Sequence, residues 1–161
     1  MKKQDCYNIT FGGIGGQGII KASELLGWAA MYDGWHVKKS EVHGMSQRGG
    51  SVESHVRFGR KIYAPLIGPG QADFLLCFHL DEHPRLVMFL KPGGTDLAGY
   101  LQQAEAMVEN PKHVNTALMG VLSVFLPISE AGWQKAMETV FSPKIRDENR
   151  QVFQRAKALV K

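Results

Sequence analysis

The stretch Cys6-Tyr7-Asn8-Ile9-Thr10-Phe11-Gly12-Gly13-Ile14-Gly15-Gly16-Gln17-Gly18 decides how this chain reads. Its first half is a short apolar strand and its second half a glycine-rich turn. A helical pattern follows at once, with Ile19, Ile20, Ala22, Leu25, Leu26, Ala29 and Ala30 spaced for one buried face. A second strand, Trp35-His36-Val37-Lys38-Lys39-Ser40-Glu41, delivers the chain into another glycine-rich turn, Val42-His43-Gly44-Met45-Ser46-Gln47-Arg48-Gly49-Gly50-Ser51. A strand that ends in glycines and opens a helix is a ready anion site. Free backbone N–H groups point outward, the helix dipole adds roughly half a positive charge, and no Cβ blocks the approach.

The first turn fits G-x-G-x-x-G through Gly13, Gly15 and Gly18, and Glu41 ends the next strand. Together these match the dinucleotide fingerprint with its acidic ribose partner. The competing reading is that the glycines only let helix pack closely on strand. A basic, histidine-bearing second turn would crowd the adenine ribose, and no second domain remains to hold a dehydrogenase substrate.

The rest reads as α/β. Residues 51–58 alternate Val52, Ser54, Val56 and Phe58 against Ser51, Glu53, His55 and Arg57, which predicts a half-buried strand. Gly59-Arg60-Lys61 then turns it into Ile62-Tyr63-Ala64 as a hairpin. A strand over 72–78 follows, then a helix over 82–90 capped by Asp81, with Pro84 tolerated in its first turn and Lys91-Pro92-Gly93-Gly94 ending it. Helices are predicted over 97–108, over 115–125 with Asn115 as cap, over 130–141 capped by Ser129, and over 145–160. The expected fold is a three-layer α/β domain covering 1–161. Its sheet is mixed and mostly parallel, with a Rossmann-like first βα turn and a helical C-terminus.

At 161 residues and 44% hydrophobic, the chain can bury one full core. Nineteen basic against fifteen acidic residues give +4, a mild and scattered excess. The C-terminal Lys144, Arg146, Arg150, Arg155, Lys157 and Lys161 read as a solvated helix face, so no nucleic-acid partner is expected. No apolar run nears the ~20 residues that span a bilayer, and Met1-Lys2-Lys3-Gln4-Asp5 lacks a secretory core, so a cytoplasmic protein is expected. The two cysteines, Cys6 and Cys77, read as core thiols; outside any C-x-x-C they cannot ligate an iron–sulfur cluster. His79 and His83 are four apart, but Pro84 directly follows His83, so no metal site is expected.

The run Gly12 to Gly18, followed by Ser40-Glu41-Val42-His43-Gly44-Met45-Ser46-Gln47-Arg48-Gly49-Gly50-Ser51-Val52, resembles the gamma-type subunit of 2-oxoacid:ferredoxin oxidoreductases of the pyruvate, 2-oxoglutarate and 2-ketoisovalerate types. It also resembles the beta subunit of indolepyruvate:ferredoxin oxidoreductase, where the same module occurs. The likeness continues through Ser54-His55-Val56-Arg57-Phe58-Gly59, Ala72-Asp73, Leu90-Lys91-Pro92-Gly93-Gly94-Thr95, Asn115-Thr116-Ala117-Leu118-Met119-Gly120, Leu126-Pro127-Ile128-Ser129 and the closing segment from Pro143-Lys144 to Asn149. One departure stands out. Family members usually continue past Thr95 with another strand and more α/β structure, whereas here Thr95 runs straight into Asp96-Leu97-Ala98-Gly99-Tyr100 and a helix. Either this member has lost an element, or a segment is missing at that junction.

The resemblance implies a concrete setting. Such complexes oxidatively decarboxylate a 2-oxoacid, pass the acyl group to coenzyme A and send two electrons to ferredoxin. Thiamine diphosphate, Mg2+ and 4Fe–4S clusters are expected on the alpha, beta and ferredoxin-like partner subunits, and no cofactor on this chain alone. This chain is expected to complete the assembly and to line access for coenzyme A or substrate, to be inactive alone, and to self-associate as a homodimer when isolated.

The candidate contact residues are Gly13, Gly15, Gly16, Gln17, Gly18, Glu41, His43, Ser46, Gln47 and Arg48, none of them catalytic. Each has a sharp and a plain reading. Arg48 clamps a phosphate or carboxylate, or pairs with Glu41 or Glu53. His43 shuttles a proton, or bonds backbone in a tight turn. Ser46 and Gln47 donate to an anion, or satisfy turn carbonyls. Two functional alternatives stand beside the main one: an independent dinucleotide-dependent oxidoreductase, and a scaffold subunit that touches no ligand.

Overall fold

The computed structural model describes residues 4–43 and 50–160, with the His43 side chain outside that set. Five strands form one mixed sheet in the order β2-β3-β1-β4-β5. They are β1 (Cys6–Ile14), β2 (His36–His43), β3 (Ser51–Gly59), β4 (Ala72–Cys77) and β5 (Leu90–Asp96). β1 pairs in parallel with β4, and β4 with β5, whereas β3 runs antiparallel to both β1 and β2. Four strands therefore share one direction and β3 alone is reversed. This is the predicted α/β class with a mixed sheet, although two of its four strand pairings are antiparallel and only two parallel.

Alternation sorts the two faces of β1 and β3. Tyr7, Ile9 and Phe11 stand opposite Phe58, Val56 and Ser54, and this face is buried under helix. Asn8, Thr10 and Gly12 stand opposite Arg57, His55 and Glu53 on the other face. The first face carries α1 (Ile19–Tyr32), which lies across β3 and β2, and behind it α4 (Val114–Ser123), α5 (Glu130–Val140) and α6 (Pro143–Ala156). Trp133 and Phe153, both essentially inaccessible, meet with ring centroids 5.2 Å apart between α5 and α6. The carboxylate of Asp33, just past the end of α1, accepts from the Ser129 backbone N–H at 2.7 Å and ties the start of α5 to it. The hydroxyl of Ser129 in turn accepts from Gly132 N–H at 3.0 Å, as its predicted cap role requires.

The second face has a thinner cover. It consists of the four-residue helix α2 (His83–Leu86), the 3-10 turns Leu80–Glu82 and Val87–Phe89 on either side of it, and an extended strap over 60–71. Leu75, Cys77 and Leu86 form a small core of their own there. The strap is fixed by the Arg57 guanidinium, which donates to Ala64 O at 2.7 Å, and by Ser40, whose hydroxyl donates to Pro65 O at 3.3 Å. α3 (Leu101–Met107) packs on α4.

Four sequence expectations need correction. The hairpin between 51–58 and Ile62-Tyr63-Ala64 does not form; β3 pairs with β2 and β1, and residues 61–68 carry no strand. The helix predicted over 82–90 shrinks to α2 and its flanking turns, and Lys91-Pro92-Gly93-Gly94 belongs to β5 rather than to a terminating turn. Glycine and proline are tolerated there because β5 is an edge strand whose outer side needs no ladder partner. The side chain that caps the 3-10 turn is His79, whose Nδ1 accepts from Asp81 N–H, not Asp81 itself. Asn115 sits inside α4 rather than at its cap.

Candidate functional site

β1 and β4 are parallel neighbours whose chains leave in opposite directions. From β1 the chain crosses through α1 to the β2 side of the sheet, and from β4 it continues to β5 on the other side. At such a switch point the carboxyl ends of the strands leave an open crevice. A cleft of about 650 Å³ lies there, between the β1–α1 turn at Gly16, Gln17 and Gly18, the Phe78–Asp81 segment after β4, Leu101 and Glu105 of α3, and Pro111, Lys112 and Val114. Its walls are largely apolar. Among the described lining residues, Lys112 is the single cation, against the carboxylates of Asp81 and Glu105.

The turn is rigid for reasons that can be named. Gln17 folds back, accepting from Ile14 N–H through Oε1 at 2.9 Å and donating through Nε2 to Phe78 O at 2.7 Å. One side chain thus locks the end of β1 to the segment after β4. Gly18 caps α1 in the left-handed region (φ 75°), where its carbonyl takes Ala22 N–H at 3.0 Å and Asn115 Nδ2 at 3.2 Å. Gly16, at φ 93°, faces open space. The Gly15 N–H is already used, donating to Gly50 O at 2.9 Å. Of the anion-binding groups expected in this turn, those of Ile14 and Gly15 are therefore committed to the protein itself. The N–H groups left without helical partners are those at the start of α1.

Gly13, Gly15, Gly16, Gln17 and Gly18 thus come together at the mouth of the cleft or directly beneath it. Glu41 does not. It lies on the edge strand β2, opposite Ser54, and β3 intervenes between it and β1, roughly 10 Å at the usual strand spacing. Its carboxylate pairs with Lys39 Nζ at 2.9 Å. The reversed β3 takes the sheet position that a ribose-binding second strand would fill in a dinucleotide fold. Ser46, Gln47 and Arg48 lie outside the described residues, as does the His43 side chain; the return from that turn, at Gly50, is what meets Gly15. Glu53 is paired with Arg85; the partnership expected between Arg48 and Glu41 or Glu53 lies outside the described residues.

Sequence reading missed a polar network beneath the turn. Thr10 Oγ1 and His55 Nδ1 are 2.9 Å apart, His55 Nε2 and Glu53 Oε2 3.1 Å apart, and Arg85 pairs with both Glu53 and Glu82. Thr10 and His55 are buried, and the His55 ring meets Phe89 edge-on at 4.9 Å. Hydrogen bonding to His55 and the nearby Arg85 hold the Glu53 carboxyl below its ordinary range, against the opposing effect of burial. Glu82 is lowered as well, first by its hydrogen bond to Ser51 and then by Arg85. The alternation of Ser51, Glu53, His55 and Arg57 was the available signal for one polar face; that Arg85 would cross to it was not readable.

His79 and His83 turn to different partners. His79 Nδ1 accepts from Asp81 N–H, while His83 Nε2 lies 2.6 Å from Asp96 Oδ2. Cys77 is buried, donates to His79 O and has its thiol pushed up by desolvation. Cys6 is only half-buried, at the start of β1 rather than in the core, and donates to Asn8 Oδ1 at 3.3 Å. Among the described residues no group of three or more His, Cys, Asp or Glu is placed to hold a metal, and no helix is long and apolar enough to cross a membrane. The basic residues near the C-terminus are engaged locally: Arg150 with Glu138, Lys157 with Glu130, and Arg146 with backbone carbonyls.

Comparison with known proteins gives this geometry a context. Residues 8–99, which take in nearly all of the sheet and the turn, match the family described as pyruvate ferredoxin/flavodoxin oxidoreductase. The chain is 51% identical over 88 residues to the indolepyruvate oxidoreductase subunit IorB of Thermococcus kodakarensis, covering 55% of this chain and 44% of that protein. The match therefore spans less than half of that relative's length. Among solved structures, the gamma subunit of a keto/oxoacid ferredoxin oxidoreductase from Geobacter sulfurreducens superposes with a TM-score of 0.71 at 27% identity, over 96% of this chain and 99% of that one. A 2-oxoglutarate:ferredoxin oxidoreductase from Magnetococcus marinus, solved with 2-oxoglutarate, coenzyme A and succinyl-CoA bound, superposes with a TM-score of 0.84 at 20% identity, over 98% of this chain and 31% of that one. That last likeness is one of fold.

Proposed function

Because this chain belongs to the pyruvate ferredoxin/flavodoxin oxidoreductase family, we propose that it serves as the gamma-type subunit of a 2-oxoacid:ferredoxin oxidoreductase whose thiamine diphosphate, Mg2+ and 4Fe–4S clusters reside on partner subunits. Its relatives among indolepyruvate oxidoreductase subunits favour an aryl 2-oxoacid as the substrate of the assembly. In this reading the chain holds no redox group, turns over nothing alone, and contributes the wall along which coenzyme A reaches the acyl intermediate on its partners. It works in the cytoplasm with the alpha, beta and ferredoxin-like chains, and delivers electrons to ferredoxin.

The observation that carries this reading is the cleft at the β1/β4 switch point. A long co-substrate with an anionic end and an amide-rich arm fits a largely apolar groove that begins at the amino end of a 14-residue helix and has Lys112 on its wall. Stand-alone dinucleotide chemistry is disfavoured by the place of Glu41 on β2, with β3 between it and the turn. In the assembled oxidoreductase, Lys112→Glu should raise the KM for coenzyme A several-fold while leaving the KM for the 2-oxoacid and the kcat near the parent values. Unchanged coenzyme A kinetics would instead favour a scaffold subunit that touches no ligand.

A further inference from the structure

We propose that Arg85 is a positioning residue for the cleft: it offsets part of the negative charge of Glu53 and Glu82 beside the β1–α1 turn and so keeps that turn receptive to a polyanionic co-substrate. This rests on the reading of the cleft as a coenzyme A surface. The Arg85 guanidinium places Nη1 on Glu53 and Nη2 on Glu82 Oε1, the latter at 3.0 Å, and the two carboxylate side chains are only 12% and 18% exposed. Both stand next to the turn. Glu53 is opposite Gly12 in the β1/β3 ladder; Glu82 directly follows Asp81 of the cleft wall and also bonds the side chain of Ser51, which is opposite Ile14. Gly50, immediately before Ser51, accepts the Gly15 N–H.

Charge balance makes the arginine necessary. The described lining already sets Asp81 and Glu105 against Lys112. Without Arg85, the charge of Glu53 and Glu82, which stand just outside that lining, would go unopposed by a cation and would repel an incoming phosphate through a few residues of partly shielded protein. Glu53 has no freedom to swing aside, because His55 and, through it, Thr10 hold its other oxygen. The competing role is mechanical. Arg85 also clamps α2 to the sheet, and loss of a clamp alone would lower stability without a charge-dependent effect on binding.

The test titrates coenzyme A and, separately, inorganic pyrophosphate into the full chain by calorimetry at low and physiological ionic strength. Arg85→Met should weaken both ligands roughly five- to tenfold at low salt, with the gap narrowing at high salt. The triple variant Glu53→Gln, Glu82→Gln, Arg85→Met has no clamp either, yet, with no charge left in the cluster, it should bind at least as tightly as the parent. Equal affinity of folded Arg85→Met, or a triple variant as weak as the single one, overturns the proposal. Should Arg85→Met fail to fold, the pair Glu53→Gln, Glu82→Gln decides: it should bind more tightly than the parent, and unchanged or weaker binding overturns the proposal. Lys112→Glu separates the two readings. If it abolishes binding while the Arg85 series is inert, only the role of Arg85 falls; if the parent binds neither ligand, the reading of the cleft falls with it.

Discussion

Replacing Gly18 with alanine tests the turn at its most constrained point. Gly18 sits at φ 75°, and a Cβ there would overlap the Asn115 side-chain nitrogen. Left-handed backbone costs an L-residue roughly 1–2 kcal/mol. The displaced Asn115 amide would also lose its 3.2 Å bond to Gly18 O, in a side chain that is almost fully buried; a lost hydrogen bond of this kind costs about 1 kcal/mol. Together these predict a destabilisation of roughly 2–3 kcal/mol, or a Tm lowered by roughly 4–12 °C for a chain of this size. Urea unfolding of the parent, Gly18→Ala, Asn115→Ala and the double variant supplies the measurement. Because the clash and the lost bond share one partner, the double variant should be little worse than Gly18→Ala alone. A cost below about 0.5 kcal/mol for Gly18→Ala, or strictly additive single changes, would show that neither the left-handed backbone nor the Asn115 contact constrains this turn.

Three further outcomes follow from the same geometry. Gln17→Leu removes both the acceptor for Ile14 N–H and the donor to Phe78 O, and should cost about 1–3 kcal/mol, read by the same unfolding assay. Gly16→Ala strains a φ of 93° without touching a neighbour, so its stability cost should stay near that of the backbone strain, roughly 1–2 kcal/mol, and should not change in an Asn115→Ala background. The Glu53 carboxyl is held low in the folded state, so its stabilisation is fully present above the ordinary carboxylate range and is lost as pH falls through and below that range. Urea midpoints between about pH 7 and pH 3 should therefore fall less steeply for Glu53→Gln than for the parent.

Much of the fold was readable because local chemistry and tertiary structure agree. The glycine turn after β1, the apolar spacing of α1 and the Ser129 cap of α5 each follow from residues close together in sequence. What escaped prediction depends on partners far along the chain. β3 inserts between β1 and β2 because its inward Val52, Val56 and Phe58 complete the face under α1. Strand order of that kind leaves no local signal, so Glu41 looked like a ribose partner when it lies on an edge strand. Lys91-Pro92-Gly93-Gly94 carries strong turn chemistry, yet pairing with β4 overrides it at a sheet edge. Asn115 has the composition of a helix cap, but its amide is drawn to Gly18 O, 97 residues away. Arg85 gave no warning at all, since its two carboxylate partners come from different elements and one is 32 residues distant.

Isolating the chain under anaerobic conditions from its source cells, and assaying what travels with it, puts its proposed role to the test. A stable complex is expected, in which other chains carry thiamine diphosphate and iron–sulfur clusters. It should reduce ferredoxin with an aryl 2-oxoacid only when coenzyme A is present, and this chain, once separated, should hold neither cofactor. A chain that purifies alone, binds a nicotinamide or flavin dinucleotide tightly and oxidises a substrate without coenzyme A would contradict that role.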